Sequence, residues 1–302
     1  MDSNQSHPVR PRTMWLGPKR KRDLDLEIEQ ASRSRLCPSE PQPQTSTTAS
    51  PLARPAPAQH RNQPKIRQID EDPWLTYEPI VRIFGRPVFL ARLRSNKAEL
   101  VNIQRLEKQP SSAQSLVETM HQVAHRSFPD LLEHYRHEGQ DFLVWEALEL
   151  SVGQVLGSRC SIDEGALAAI VWPVLKGIKH LRGQGRVLAT LSPDTIFLTE
   201  SGVVKIAGAE HSCQIDATEM DAATLKLMAL ADVVQNLMTR SSSGTEWSPE
   251  AQSLPEDLNR LSVDDLLRSK FFEQLGSGGE LKMLVNVVNK DACHKIDFLS
   301  CA

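Results

Sequence analysis

Residues 69–148 alternate apolar and polar positions in short runs, a pattern that favours half-buried β-strands. The segments PIVRIFG, PVFLARLR and ELVNIQRL predict three strands with turns between them. In SSAQSLVETMHQVAHR, Leu116, Met120 and Val123 fall at helical spacing, which predicts a helix with Ser111 or Ser112 as its N-cap. The segment LLEHYRHEGQDFLVWEAL predicts a hairpin that turns at residues 138–140.

Beyond residue 148 the apolar spacing becomes helical. SIDEGALAAIVWPVLKGIKHLRGQG predicts a long helix that opens with a capping box from Ser161 to Glu164, kinks at Pro173 and stops at Gly183 and Gly185. Two short strands follow in RVLATLSPDTIFLTESGVVKIAGAE. Further helices are predicted in ATLKLMALADVVQNLMT, SVDDLLRSKFFEQL and GELKMLVNVVNKDA. A small sheet with one helix, followed by a mainly helical part, predicts an α+β fold.

Residues 1–68 have a different composition and hold ten of the 19 prolines together with much Ser, Gln and Arg. Such a segment buries too little apolar surface to offset its ordering entropy, so it is predicted to be disordered. It contains a compact basic cluster, Lys19, Arg20, Lys21 and Arg22, which resembles a nuclear-import signal. The alternative interpretation is a solvated charge run in a flexible tail.

Charge and cysteine content limit the classes of function. The net charge is -3. Residues 1–68 hold 12 Lys/Arg and 6 Asp/Glu, so this tail is basic and the rest of the chain is acidic. This balance does not favour a nucleic-acid partner. Five widely spaced cysteines without a CxxC pair argue against a disulfide framework. No apolar run is long enough for a membrane span or a secretory signal, so a nuclear or cytoplasmic location is expected.

The order of segments between about residues 75 and 275 resembles the protein kinase superfamily. FLVWEALE resembles the strand and hinge between the two lobes, and the helix up to residue 185 is similar to the one before the catalytic loop. LATLSPDTIFLT falls where the family has H-R-D-L-x-P-x-N, and GVVKIAGAE falls where K-I-x-D-F-G lies. LSVDDLLRSKFF resembles the closing segment. The resemblance implies a bilobal kinase-like fold.

The family's reactive positions hold other residue types in this chain. By position they are Gln104, Leu188, Ala189, Thr190, Thr195 and Gly208. The resemblance implies that Gln104 replaces the phosphate-binding lysine, and that Thr190 replaces the catalytic base and is too weak a base itself. Thr195 and Gly208 replace the two metal ligands. The glycine-rich loop keeps only Gly85, and Glu118 near the helix glutamate has no lysine to pair with.

Downstream segments are also shortened relative to the family. HSCQIDATEMDAA is too short for a long activation loop, and RSSSGTEWSPEAQS replaces much of the peptide-docking region. The sequence therefore predicts a degenerate member, a pseudokinase that is not an enzyme. It requires no cofactor, and ATP binding is doubtful. The predicted domains are a tail (1–68), an N-lobe (69–148) and a truncated C-lobe (149–302).

Other chemistry-bearing residues were assigned structural roles. His134 and His137 are expected to be solvated hairpin residues, and His121 and His125 lack a third ligand for a metal. Asp194 and Glu210 lie beside the altered site, where a structural role is favoured over displaced metal binding. Trp145 and Trp172 are expected in the core or between the lobes. Cys213 is expected to be an unreactive thiol.

Three functions remain open from the sequence. The first is a protein-binding scaffold or allosteric regulator whose partners are other proteins, with an importin-type receptor added if the basic cluster is a nuclear-import signal. The second is an atypical nucleotide-binding protein or a residual Ser/Thr kinase that uses displaced residues such as Glu210. The third is a nuclear adaptor that acts through its N-terminal tail. No membrane partner is expected.

Overall fold

A computed structural model describes residues 66–83, 87–106, 110–215, 227–240, 246–273 and 279–293. The chain divides into two units, residues 1–59 and 60–302, and every described residue belongs to the second. Several predictions fall outside the described residues: the basic cluster Lys19–Arg22, Gly85, and most of the predicted tail. The described unit is mixed α+β, as the sequence predicts.

A six-stranded sheet in the order β1-β5-β6-β4-β3-β2 forms the first part of this unit. Its strands are β1 (Arg67–Ile69), β2 (Tyr77–Arg82), β3 (Val88–Leu93), β4 (Leu100–Arg105), β5 (Leu131–His137) and β6 (Gln140–Glu146). Neighbours are antiparallel except β1 and β5, which run parallel. The three strands predicted between residues 79 and 106 are confirmed.

The predicted hairpin is also confirmed, because β5 and β6 are joined by Glu138 and Gly139 alone. Both residues have positive φ, +48° and +71°, which a two-residue turn of this hand requires. The pairing of β4 with β6 sets Asn102 opposite Trp145 and Gln104 opposite Leu143. These four side chains therefore share one face of the sheet.

Eight described α-helices surround and follow the sheet. They are α1 (Pro73–Thr76), α2 (Pro110–Val123), α3 (Val152–Gly157), α4 (Glu164–Gly183), α5 (Met228–Met238), α6 (Pro249–Arg260), α7 (Val263–Leu266) and α8 (Gly279–Cys293). Two 3₁₀ turns, Ala209–His211 and Lys270–Phe272, complete them. Within the described residues, no helix has the length and apolar character needed to cross a membrane.

Helix boundaries differ from the prediction in detail. The N-cap of α4 is Asp163, whose side chain accepts from the Ala166 backbone N–H at 2.7 Å, so the predicted Ser161 cap is wrong. Helix α4 continues through Pro173 to Gly183. A capping box does occur one helix earlier, between Ser151 and Gln154 at the start of α3. Helix α2 begins at Pro110, ahead of both predicted cap serines.

Helix α6 was not predicted. Ser248 caps it by accepting from the Ala251 N–H, and Pro249 occupies its first turn. The Ser-Pro-Glu start is a typical helix signal. The sequence analysis treats RSSSGTEWSPEAQS only as a replacement of the peptide-docking region, and Pro255 inside the helix weakens the helical pattern further.

Two smaller sheets lie beyond β6. The strand order β10-β9-β7 joins β7 (Leu150–Ser151), β9 (Ile196–Leu198) and β10 (Val204–Ile206), and β8 (Arg186–Val187) pairs with β11 (Cys213–Gln214). The main apolar core contains α4, α5 and the β9–β10 hairpin, and it reaches one face of the large sheet through Leu143 and Trp145. The opposite face of the sheet belongs to a second, smaller apolar cluster, which contains Tyr77 and Tyr135.

Candidate functional site

A cavity of about 280 Å³ lies between the large sheet and the β9–β10 hairpin, and we call it the sheet-side cavity. Strands β3, β4 and β6 supply one wall, and the residues that follow β10 supply the other. Its described lining is Ile83, Pro87, Val88, Asn102, Gln104, Pro129, Trp145, Leu148, Phe197, Ala207, Gly208 and Glu210. Two of the six altered family positions, Gln104 and Gly208, therefore face one space.

Gln104 is engaged by a neighbouring strand. The Trp145 indole Nε1–H donates to Gln104 Oε1 at 3.1 Å, across the diagonal of the β4–β6 pair. Trp145 is 8% exposed, so this bond satisfies a buried indole N–H. The expected core position of Trp145 is confirmed, and Gln104 serves to satisfy it.

Glu118 is not part of the described lining of the sheet-side cavity. It lies on the exposed face of α2, where its carboxylate accepts from the Gln114 side-chain amide at 3.1 Å. An i, i+4 pair of this kind is typical of a solvated helix surface. The helix face turned toward the core instead presents Leu116 and Met120.

Gly208 and Glu210 follow β10. Gly208 has a φ of +94°, in the region that side-chain-bearing residues avoid, and it precedes the 3₁₀ turn that carries Glu210. The Glu210 side chain is only 15% exposed, and His211 Nε2 lies 3.8 Å from its Oε1. A carboxylate is thus present in the sheet-side cavity two residues after the altered metal-ligand position.

Three other altered positions line a different space, the helix-side cavity of about 320 Å³. Leu188, Ala189 and Thr190 form part of its wall. The rest of its described lining is Ile178, Leu181, Arg182, Arg186, Val187, Leu191, Ile215, Leu227, Ala229 and Leu230. Positions that the family resemblance assigns to one catalytic loop therefore lie in a largely apolar pocket beside α4 and α5.

Two guanidinium groups give the helix-side cavity its charge. Arg186 is buried, and its guanidinium donates to Ser212 Oγ at 2.9 Å and to the Ser212 carbonyl at 2.6 Å. Burial lowers the pKa of the Arg182 guanidinium below its usual value. No acidic side chain occurs in the described lining of this cavity.

Thr195 and Asp194 lie in the turn before β9. The Thr195 hydroxyl accepts from the Ser192 N–H at 2.9 Å and donates to the Ser192 carbonyl at 3.0 Å, which closes the turn. Asp194 Oδ1 occupies the space where a side chain at Gly153 would have to lie. The structural role favoured for Asp194 agrees with this packing, and neither residue lines the two cavities.

A buried lysine cluster was missed from the sequence. Lys205 on β10 is 7% exposed at its side chain, and its Nζ lies 2.6 Å from Glu146 Oε1 at the end of β6. It also donates to the Phe128 carbonyl at 3.2 Å and lies 3.7 Å from Asp130. The cluster fixes the end of the large sheet to the β9–β10 hairpin beside the sheet-side cavity. Its sequence signal is weak: Glu146 ends the apolar strand β6, and Lys205 is a lone charged residue within the apolar strand β10.

One of the histidines takes a role that differs from the prediction. His134 is buried, and its Nε2 lies 2.8 Å from Asp141 Oδ1, so its expected solvation is wrong. The strand alternation of β5 turns His134 toward Asp141 on β6, away from water. His121 Nε2 accepts from the Ile66 N–H at 3.4 Å. Among the described residues, no group of three or more His, Cys, Asp or Glu is arranged to hold a metal ion.

His125 and His180 form a stacked pair with ring centroids 4.7 Å apart. Burial, followed by the charge of His180, lowers the pKa of His125 to about 4. Burial also lowers the pKa of His180. The pair joins the loop after α2 to α4, next to the bond from Ser127 Oγ to the Pro173 carbonyl.

Two remaining predictions concern single side chains. Trp172 packs against Phe272 with ring centroids 5.1 Å apart, within the helical part rather than against the large sheet. Cys213 is exposed on β11, and its Sγ lies 3.9 Å from the His211 carbonyl oxygen.

Comparison with known proteins finds serine/threonine-protein kinases. The chain is 24% identical over 160 residues to the serine/threonine-protein kinase STE20 of Candida glabrata, a match that covers 51% of this chain and 18% of that protein. It is 26% identical over 164 residues to the serine/threonine-protein kinase SMU1 of Mycosarcoma maydis, covering 52% and 22%. The chain thus spans about a fifth of the length of these relatives. No protein-family model matches it.

These similarities support a kinase-like superfamily and correct one prediction. The sequence predicted that the chain is not an enzyme, but the proteins it resembles are named as serine/threonine-protein kinases. That prediction is therefore wrong as made. Replacement of residues at family positions does not establish inactivity, because Glu210 places a carboxylate close to the altered metal-ligand position.

Proposed function

We propose that residues 69–302 form a bilobal kinase-like domain that acts by binding other proteins, as a scaffold or an allosteric regulator. The similarity to serine/threonine-protein kinases over about half of the chain supports the domain type. The succession of a sheet with one long helix and a mainly helical part agrees with two lobes. The protein-binding role does not depend on whether phosphotransfer persists.

The observation that carries the protein-binding role is the exposed edge of the large sheet. Strand β2 is an outer strand, and its Ile80 and Val81 are 47% and 55% exposed. Proteins normally protect sheet edges, and exposed apolar edge residues are typical of surfaces that pair with a partner. Pro79 offers no backbone N–H to a partner strand, and the pairing with β3 shifts register between Pro79 and Val81, so the regular open segment begins at Val81.

The test compares two equally drastic surface substitutions. Val81→Lys places a charge on the β2 edge, and Met283→Lys places one on α8, where Met283 is 68% exposed. Proximity labelling with each full-length variant should show that proteins labelled by the wild type are lost with Val81→Lys and retained with Met283→Lys. The same labelled set with both variants would contradict the proposal for this surface.

We further propose that the protein works in the nucleus, directed by Lys19, Arg20, Lys21 and Arg22. The cluster follows Pro18 and precedes an acidic stretch, which keeps the basic charge compact. Replacement of all four residues by Ala should abolish nuclear accumulation of a fluorescent fusion. Replacement of Arg33, Arg35, Arg54 and Arg61 removes the same charge elsewhere and is expected to leave accumulation unchanged.

A second candidate function is nucleotide binding or Ser/Thr phosphotransfer with displaced residues. It is favoured by the Glu210 carboxylate, which lies in the sheet-side cavity two residues from the altered metal-ligand position. The purified chain would transfer phosphate from ATP to a peptide in the presence of Mg²⁺ or Mn²⁺. Glu210→Gln would abolish this transfer and Glu200→Gln, on an exposed turn, would not. Absence of transfer by the wild-type chain would exclude phosphotransfer, and absence of ATP binding to that chain would exclude nucleotide binding.

A further inference from the structure

The described lining of the sheet-side cavity contains one ionisable side chain, the carboxylate of Glu210. No Lys, Arg or His belongs to this lining, and Lys205 lies outside it, held by Glu146. A single negative charge on this described lining attracts cations and repels polyanions. The described lining therefore favours a cation over a triphosphate.

The environment of Glu210 leaves its charge only partly compensated. Its side chain is 15% exposed, and its contact with His211 is 3.8 Å long, beyond hydrogen-bond distance. Within the described residues, the carboxylate accepts no hydrogen bond. A mostly buried carboxylate without a close donor is unfavourable, and a bound cation with N–H groups would relieve this cost.

The other walls supply the remaining contacts for such a ligand. Trp145 and Phe197 present aromatic rings to the cavity, and aromatic faces attract organic cations. The carboxamide of Asn102 is hydrogen-bonded to no described residue, so it is available to an N–H or carbonyl group. Gln104 Oε1, in contrast, already accepts from Trp145.

The volume limits the size of the ligand. About 280 Å³ is just below the usual range for small-molecule sites, roughly 300–1,000 Å³, and suits a two- or three-ring body. We propose that the sheet-side cavity binds a compact planar organic cation, an amine- or amidine-bearing heteroaromatic, with Glu210 as its counter-ion. This site goes beyond the protein-binding function and does not rest on it.

The test uses two probes that differ in charge but share one ring system. At pH 7, 9-aminoacridine is a cation and acridine is neutral, and their binding to the full-length chain is measured by calorimetric titration. We expect 9-aminoacridine to bind at least ten-fold more tightly than acridine. Glu210→Gln should weaken 9-aminoacridine about ten-fold and leave acridine unchanged, while Glu200→Gln on the exposed turn changes neither.

A second variant keeps the test decisive if Glu210→Gln does not fold. Asn102→Asp adds a carboxylate to the same lining and should tighten 9-aminoacridine several-fold. The proposal is overturned if the two probes bind equally, if neither variant alters the charge preference, or if ATP displaces 9-aminoacridine at a lower concentration than 9-aminoacridine itself requires. That last outcome would support the nucleotide-binding candidate and leave the β2 surface untested by this experiment.

Discussion

The sheet-side and helix-side cavities are similar in size, about 280 and 320 Å³, but opposite in charge. The first has a carboxylate and no described cation in its lining, and the second has two guanidinium groups and no described acid. Five of the six altered family positions are divided between them, and Thr195 lines neither. The effect of an altered motif residue therefore depends on the cavity that it lines, and the residues of one motif do not all line the same cavity.

The largest effect is expected from the ion pair that holds the sheet-side cavity together. Glu146→Ala leaves the buried Lys205 with the Phe128 carbonyl and a carboxylate, Asp130, 3.7 Å away, and should lower the free energy of unfolding by about 3 kcal/mol. Urea denaturation measures the change. Glu78→Ala breaks the exposed pair with Arg92 and should lower the free energy of unfolding much less, because solvent screens this pair. Equal losses of unfolding free energy in the two variants would mean that Glu146 does not stabilise the buried charge of Lys205.

A smaller effect is expected in the helix-side cavity. Arg186→Met removes both donors to Ser212 and leaves its buried carbonyl unpaired, which should cost about 2 kcal/mol in unfolding free energy. Arg268→Met, which breaks an exposed ion pair with Asp265, provides the control and should change stability by less than about 0.5 kcal/mol. If both variants behave alike in thermal denaturation, the guanidinium does not support this cavity.

A further prediction concerns the backbone conformation of Gly208, which lines the sheet-side cavity. Gly208→Ala meets no atom within 4 Å but forces a side-chain-bearing residue to a φ of +94°, so it should cost about 1 kcal/mol. Gly183→Ala at the end of α4 also meets open space and has no positive φ, so it should be neutral or slightly stabilising. Chemical denaturation of the two variants separates backbone strain from crowding. A Gly208→Ala variant as stable as the wild type would contradict backbone strain at residue 208.

The smallest effect concerns pH and the His125–His180 stack. Because burial holds the pKa of His125 near 4, below its unfolded value of about 6.5, protonation favours the unfolded chain. Stability is fully present above about pH 6.5 and should fall by roughly 1 kcal/mol or less toward pH 4, allowing for solvent screening. The difference in urea midpoint between pH 7 and pH 5 should shrink in His125→Phe and persist in His137→Phe. An unchanged difference in His125→Phe would exclude this histidine as the source.

Regular elements could be predicted where the local pattern was strong. The alternation in β3 and β4, the turn at Glu138 and Gly139, and the amphipathic course of α4 all follow from neighbouring residues alone. The cap of α4 was misassigned because Ser161 and Asp163 both suit an N-cap, and only the packed start of the helix selects Asp163. The burial of His134 was missed for a related reason, since its partner Asp141 is on the next strand.

The sequence by itself determined the order of the elements and the residue type at each family position, because periodicity and identity are local properties. The tertiary structure decided which of these residues share a cavity. Gln104 meets Trp145 across 41 positions of chain, and Arg186 meets Ser212 across 26. Such contacts depend on strand pairing and helix packing between distant segments, so burial, charge compensation and the separation into two cavities become visible only when the chain is folded.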